Sequence, residues 1–229
     1  NTSVDTEKAW GVDLSLEYYL PQTGILSVSG FNKWISNPLF SSTTLVEGDR
    51  FDAGGLDRSG YLYFTTLNGQ DGVVRGVEFN YFQQWHFLPG PLGGFGLETN
   101  ATFLDSEFTT PPPPGGETRA VRFPGTSNTV LNGSLFFERY GLSARLSYQW
   151  RDDWIDSLDP SDERSDVYWD NETRLSVSLR YSFSENYTIF ADANNLTDEL
   201  GRRYRGFENK PVEIEGFGRR YQLGVRVNY

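Results

Sequence analysis

The stretch Tyr221-Gln-Leu-Gly-Val-Arg-Val-Asn-Tyr229 alternates at every position. Tyr221, Leu223, Val225, Val227 and Tyr229 fall on one face; Gln222, Gly224, Arg226 and Asn228 fall on the other. Period-two alternation of this length predicts a half-buried strand. Soluble domains tend to end in polar, frayed residues, whereas an aromatic holds the last position here. Two readings follow. One is an ordinary strand of a soluble sheet. The other is the closing strand of a membrane barrel, with its apolar face against lipid and its aromatic at the interface.

Composition narrows the choice. The 229 residues suit one all-β domain or part of a larger barrel. A net charge of -11 and a pI near 4.6 exclude nucleic acid as a partner, since phosphates select a basic face. With no cysteine there is no disulfide, zinc thiolate or thiol nucleophile. Methionine is also absent, even at position 1, so the expectation is a chain that begins downstream of its start, with any signal peptide out of view. No apolar run reaches the ~18 residues of a membrane helix. A strongly aromatic yet polar chain fits a barrel with interfacial girdles.

The same alternation recurs upstream. Trp10, Val12, Leu14, Leu16, Tyr18 and Leu20 form one apolar set; Val73, Val77, Phe79, Tyr81, Trp85 and Phe87 form another. Leu142 to Trp150 and Leu175 to Phe183 repeat the pattern, with Arg145 and Arg180 on the opposite face. Arginine is costly in a packed core and costs little on the wall of a wet lumen. The predicted strands are 7–20, 25–36, 71–88, 95–109, 127–140, 142–155, 168–184, 187–197 and 216–229. Several exceed the roughly 9–11 residues that a tilted strand needs to cross lipid.

Connections alternate in length. Pro21–Gly24, Pro89–Gly94, Tyr140-Gly141 and Ser184–Asn186 are tight turns built from turn formers. The segments 37–70, 110–126, 156–167 and 198–215 are long. Sorting of this kind is the outer-membrane pattern, with the turns periplasmic. About nine strands is an odd number that would leave two open edges in lipid. The expected fold class is therefore all-β: a transmembrane antiparallel β-barrel, residues 1–229 forming the C-terminal portion of a larger one.

Four passages resemble the TonB-dependent outer-membrane receptors, in order and over nearly the whole chain. They are Glu17-Tyr18-Tyr19-Leu20 before a turn, Gly76-Val77-Glu78, Asn194-Asn195-Leu196-Thr197-Asp198, and Gly218-Arg219-Arg220-Tyr221 with Leu223-Gly224-Val225-Arg226. The family usually closes on Phe, so Tyr229 is a mild departure. Leu88 to Gly96, with Asn100-Ala-Thr102 and Pro124-Gly-Thr-Ser127, is similar to receptors of the Caulobacter and Xanthomonas type, many of them associated with carbohydrate uptake. The resemblance implies a barrel of about 22 strands in the outer membrane of a Gram-negative bacterium. It also implies an N-terminal plug, absent from these residues, and a box pulled by TonB. Implied partners are membrane lipid and lipopolysaccharide, the barrel-assembly machinery that reads the last strand, and a small-molecule nutrient. No cofactor or metal is expected, and no catalysis. A passive porin and a secreted all-β binding module are the alternatives.

Candidate binding residues lie in the long segments. Phe51, Tyr61 and Tyr63, with Phe40 and Phe64, can stack on sugars or aromatic siderophores, or simply pack their loop. Segment 152–170 holds eight acids around Trp154 and Trp169, among them Asp156. It reads either as a sugar or calcium site or as a solvated, self-repelling loop. Arg203 and Arg205, with Arg202, are expected to face Arg219 and Arg220 across the last hairpin. There they could attract an anion, or pair with neighbouring acids. His86, the only histidine, sits near the turn end on the polar face, the wrong place for a hydrolase base. Six Asn-x-Ser/Thr sequons would suit a secreted glycoprotein, but several fall within predicted strands.

Overall fold

The computed structural model describes residues 3–46, 48, 51–112 and 116–228. In chain order the strands are β1 (Lys8–Leu20), β2 (Gly24–Ser36), β3 (Leu39–Leu45), β4 (Leu62–Asn68), β5 (Gly72–Gln84) and β6 (Phe95–Thr109). Then come β7 (Ala120–Val121), β8 (Thr129–Arg139), β9 (Leu142–Arg151), β10 (Trp154–Ser157) and β11 (Val167–Trp169). The last five are β12 (Glu172–Ser182), β13 (Tyr187–Asn194), β14 (Leu200–Arg205), β15 (Pro211–Gly216) and β16 (Arg220–Val227).

The main sheet is an antiparallel meander in the order β1-β2-β5-β6-β8-β9-β12-β13-β16, with β7 paired to β6. Its nine long strands are the nine that alternation predicts. One face carries the apolar sets and is open to its surroundings: Leu14 is 78% and Leu223 is 77% exposed. So contiguous an apolar surface is a face meant for another apolar medium. On β6 that face runs Phe95, Leu97, Thr99, Ala101, Phe103 and then reaches Asp105, which pairs with Arg75 of β5 at 2.8 Å. The nine residues from Phe95 to Phe103 match the length of a strand crossing lipid, and the ion pair marks where that band stops. Aromatics gather at both margins. Trp10 stacks on Trp34 at the loop end; Phe95 meets Phe137, and Phe183 meets Tyr187, at the turn end.

The other face is polar. Register aligns Glu17, Ser27, Asn80, Asn100, Asn132, Gln149 and Arg174 at one level across seven strands. Side-chain hydrogen bonds link Asn80 to Ser27, Asn100 to Asn80, and Asn132 to Asn100 at 3.2, 2.6 and 3.4 Å. Two of the sequon asparagines thus belong to this row. Arg145 pairs with Glu98 nearby at 2.6 Å. Opposite Phe31, Phe136 and Phe190 on this face, the neighbouring strand presents glycine. A Cβ on Gly76 would sit 2.7 Å from the Phe31 ring, and one on Gly224 would overlap Phe190.

Five predicted strands overrun. β5 stops at Gln84, because Pro89 and Pro91 bring a short 3-10 turn over Gly90–Gly94, closed by Trp85 N–H on Phe95 C=O at 2.7 Å. The runs 142–155 and 168–184 are each broken by an aspartate. Asp152 accepts from the amide of Asp153, and Asp170 from that of Asn171, which removes those amides from the ladder. Beyond each break the chain joins a second, four-stranded sheet, β10-β11-β14-β15. β13 ends before Asn195, whose positive φ opens a turn in which its side chain accepts from Glu199 N–H at 2.9 Å. β16 spans Arg220 to Val227 rather than 216–229, starting after Gly218 at φ +69. Tyr229 lies outside the described residues.

The long loops are also not irregular. β3 and β4 form a hairpin, and the second sheet is built from the 152–171 and 195–219 segments. The hydrophobic core sits here, at the loop end of the main sheet. Phe40, Phe108, Ile155 and Leu158 form it, with Leu67, Val121, Phe123 and Tyr168 packed around. The hairpin is tied in through Thr43 N–H on Leu158 C=O at 3.2 Å.

Candidate functional site: the cleft between the two sheets

A cleft of about 560 Å³ opens where the second sheet stands over the polar face of β9, β12, β13 and β16. Trp154 and Trp169 line it, with Phe217, Gln149, Asn171 and Asn194. Its charged lining is Asp170, Glu172, Glu199 and Glu215 against Arg174, Arg202 and Arg220. Arg202 pairs with Asp170, and Arg174 with Glu172. Among the described residues, Glu199, Glu215 and Arg220 have no ion-pair partner.

The tryptophans belong to a row set by strand register. Trp154 of β10 faces Trp169 of β11, which faces Arg203 of β14, which faces Glu213 of β15. The indoles stack at 5.8 Å with 20° between planes. The Arg151 guanidinium lies 3.8 Å from the Trp154 ring centre, and that of Arg203 lies 5.4 Å from Trp169. Cations favour aromatic faces in this way. The ring faces are therefore occupied from within the chain, and the indole edges are what remain for the cleft.

Arg203 also pairs with Asp156 and, at 2.6 Å, with Glu213. Arg202 donates Nε to Asp170 at 2.7 Å. Neither arginine faces Arg219 or Arg220 as the last-hairpin expectation had it; Arg219 instead donates to Leu196 C=O at 3.1 Å. The reason is that β14 pairs with β15, which puts Ile214 opposite Arg202 and Glu213 opposite Arg203, while Arg220 opens β16 in the main sheet. Arg205 ends β14, is exposed, and lies outside the cleft.

Acids of the 152–171 segment are not a self-repelling loop. Asp153 pairs with Arg122 at 2.6 Å, and Asp166 with Arg119 at 2.6 Å, in addition to the Asp156 and Asp170 pairs. Asp159 and Asp162 accept backbone amides within their own turns. Asp166 is fully buried, and burial pushes its carboxyl above the ordinary range despite Arg119. Tyr204 stacks on Tyr168, and burial followed by Asp153 pushes its hydroxyl up to about 12.

Phe51, Tyr61 and Tyr63 are not brought to the cleft. They lie exposed around the β3–β4 tip, where Asp52 accepts from Gly54 and Leu56 amides and pairs with Arg58. Tyr221, Leu223, Val225 and Val227 line the apolar face of β16. His86 lies in the turn after β5, at the other end of the sheet. Arg119, Arg122, Glu199 and Glu215 escape sequence reading: Arg119 and Arg122 find Asp166 and Asp153 47 and 31 positions away, and the two glutamates reach the cleft only through the folding of the second sheet over the main one.

The family model described as TonB dependent receptor-like, beta-barrel matches residues 1–196. No curated protein matches the chain. Among solved structures, a mutant of the ferric enterobactin receptor of Pseudomonas aeruginosa, in complex with enterobactin, is 17% identical. It covers 100% of this chain and 32% of its own, with a TM-score of 0.64. The copper transporter OprC is 16% identical over 100% and 32%, with a TM-score of 0.67. The ferric-catecholate import receptor Fiu of E. coli K12 is 13% identical over 100% and 29%, at 0.64. At these identities the likeness is one of fold, and the chain spans about a third of the length of these structures. The fold is that of a transmembrane antiparallel β-barrel. The chain belongs to the TonB-dependent receptors, which are outer-membrane barrels of Gram-negative bacteria.

Proposed function

We propose that residues 1–229 are the C-terminal transmembrane portion of an outer-membrane receptor that captures a scarce nutrient at its outer mouth and imports it with energy delivered by TonB. The observation that carries this is the cleft itself, placed where the loop-end sheet overhangs the polar wall of the barrel. Its size suits a small molecule. The plug and the TonB-contacting box belong to the remainder of the receptor, lipid and lipopolysaccharide surround the apolar face, and the assembly machinery reads β16. The work is transport rather than catalysis: His86 stands at the opposite end from the cleft.

Between a carbohydrate and a ferric siderophore, charge favours the carbohydrate. With Arg202 and Arg174 neutralised by their own partners, the open groups are Glu199 and Glu215 against Arg220. An anionic iron chelate meets net repulsion there, whereas sugar hydroxyls find carboxylate acceptors, amides and indole edges. Stacking on an indole face plays no part, because the faces are filled.

Titration of the purified receptor with a panel of neutral oligosaccharides and ferric siderophores tests this. The expected result is binding of an oligosaccharide, weakened at least tenfold by Glu199→Gln with Glu215→Gln, since hydrogen bonds to charged groups contribute roughly 1.5–3 kcal/mol each. Binding of iron chelates alone would overturn the carbohydrate reading. Uptake that persists in cells lacking TonB would favour a porin.

A further inference from the structure

The segment carrying both tryptophans is held from two sides, and one residue connects the sides. Asp166 lies three positions before Trp169 and is fully buried. Its carboxylate takes Arg119, from the segment joining β6 to β8, on both oxygens, at 2.6 and 3.4 Å. One of those oxygens also accepts Asp159 N–H at 2.9 Å, and Arg119 returns a hydrogen bond to Asp159 C=O at 2.6 Å. The Asp166 backbone carbonyl accepts Gly206 N–H, from the segment joining β13 to β16, at 2.9 Å. Gly206 has φ +66, and a Cβ there would meet the Arg164 backbone at 2.5 Å, so the two segments approach as closely as glycine allows.

We infer that Asp166 is a positioning residue: it clasps the three loop-end segments into one body and thereby holds the Trp154–Trp169 row at the wall of the cleft. A buried carboxylate left without its cation is strongly destabilising locally, so removing either partner frees the segment rather than loosening it by degrees. The same pattern repeats at the flanks, where Arg122 reaches Asp153 of the same segment. All these bonds lie above the membrane strands, so their loss leaves the barrel ladder intact. The inference gains functional meaning from the cleft as a ligand site, but its test needs no ligand.

Residues 1–229 contain no cysteine, so spin labels attached here meet no native thiol of this segment. Glu117→Cys and Glu208→Cys put labels on exposed positions of the two outer segments, which are joined through Asp166. In the whole receptor in detergent micelles, pulsed electron-electron resonance should give one narrow distance, broadened or split by Asp166→Asn. Circular dichroism should show the exciton couplet of the stacked indoles, isolated by subtracting a Trp154→Phe spectrum, and its loss in Asp166→Asn. Heat-modifiable gel mobility, which reads barrel closure, should not change. If Asp166→Asn fails to assemble, Arg119→Gln replaces it with the same expectations. An unchanged distance distribution and couplet in an assembled variant would overturn the inference. Loss of sugar binding with both readouts intact would count against it too, and failure of the sugar assay in wild type would leave it standing.

Discussion

At the scale of single residues, the two aspartates with opposite surroundings make the sharpest contrast. Asp52 is solvent-facing, accepts the amide of Leu56 and pairs with Arg58, and these contacts hold its carboxyl below the ordinary 3.8. Its contribution to the β3–β4 tip is present above that ordinary value and is lost as pH falls through the lowered one. Asp166 goes the other way. Burial outweighs Arg119, so the proton is bound more readily in the folded state and its contribution grows as pH falls toward 3.8. Carboxyl-carbon NMR titration should therefore place the Asp52 midpoint below 3.8 and that of Asp166 above it; both on the same side would refute the assignment. Sequence alone marks both as loop acids. What separates them is which backbone amides and arginines the tertiary fold delivers, and no local pattern encodes that. The same holds for Trp154 and Trp169. Their aromaticity picks them out as binding candidates, but Arg203 reaches Trp169 only through register, and Arg151 covers Trp154 only because the chain turns between β9 and β10.

At the scale of elements, the long strands were legible because lipid on one side and water on the other impose a strict period of two. Where that constraint ends, so does legibility. β3, β4, β10, β11, β14 and β15 are short, their burial follows no common period, and β11 pairs with the distant β14. Their sequences look like loops rich in turn formers. Asp152 and Asp170 mislead in the opposite direction, since they preserve the alternation while taking a neighbouring amide out of the ladder. Glycine under an aromatic is a second constraint of this scale. A valine at Gly224 would drive two methyls into the Phe190 ring. Gly224→Val should destabilise the β13–β16 pair by roughly 1–3 kcal/mol, and Phe190→Ala in the same chain should recover much of the loss. The folded fraction by heat-modifiable mobility measures both; a Gly224→Val receptor that assembles like wild type would show the contact to be slack.

For the molecule as a whole, the decisive property is two-sidedness. Leu146, midway along β9, sits between Leu135 and Val177 on the apolar face; Ser147, the next residue, bonds Ser134 on the polar one at 2.9 Å. Leu146→Arg should cost about 2–4 kcal/mol in vesicles, the penalty for arginine near the bilayer midplane. Ser147→Arg forfeits one hydrogen bond, roughly 0.5–1.5 kcal/mol. Equal losses in urea unfolding would mean that the two faces do not see different solvents. This global asymmetry is what four short motifs and the sorted turns announce, and it is why the fold is shared at identities as low as 13%.

The level row from Glu17 through Asn80, Asn100 and Asn132 to Arg174 has a mechanical consequence. An amide both donates and accepts, so an asparagine that loses one partner takes up the next, water included, at little change in free energy. A wall made of such groups grips nothing in particular. Whatever polar body fills the bore can turn or slide against it without a large step at any angle. In this respect the row has the character of a bearing surface rather than of a grip.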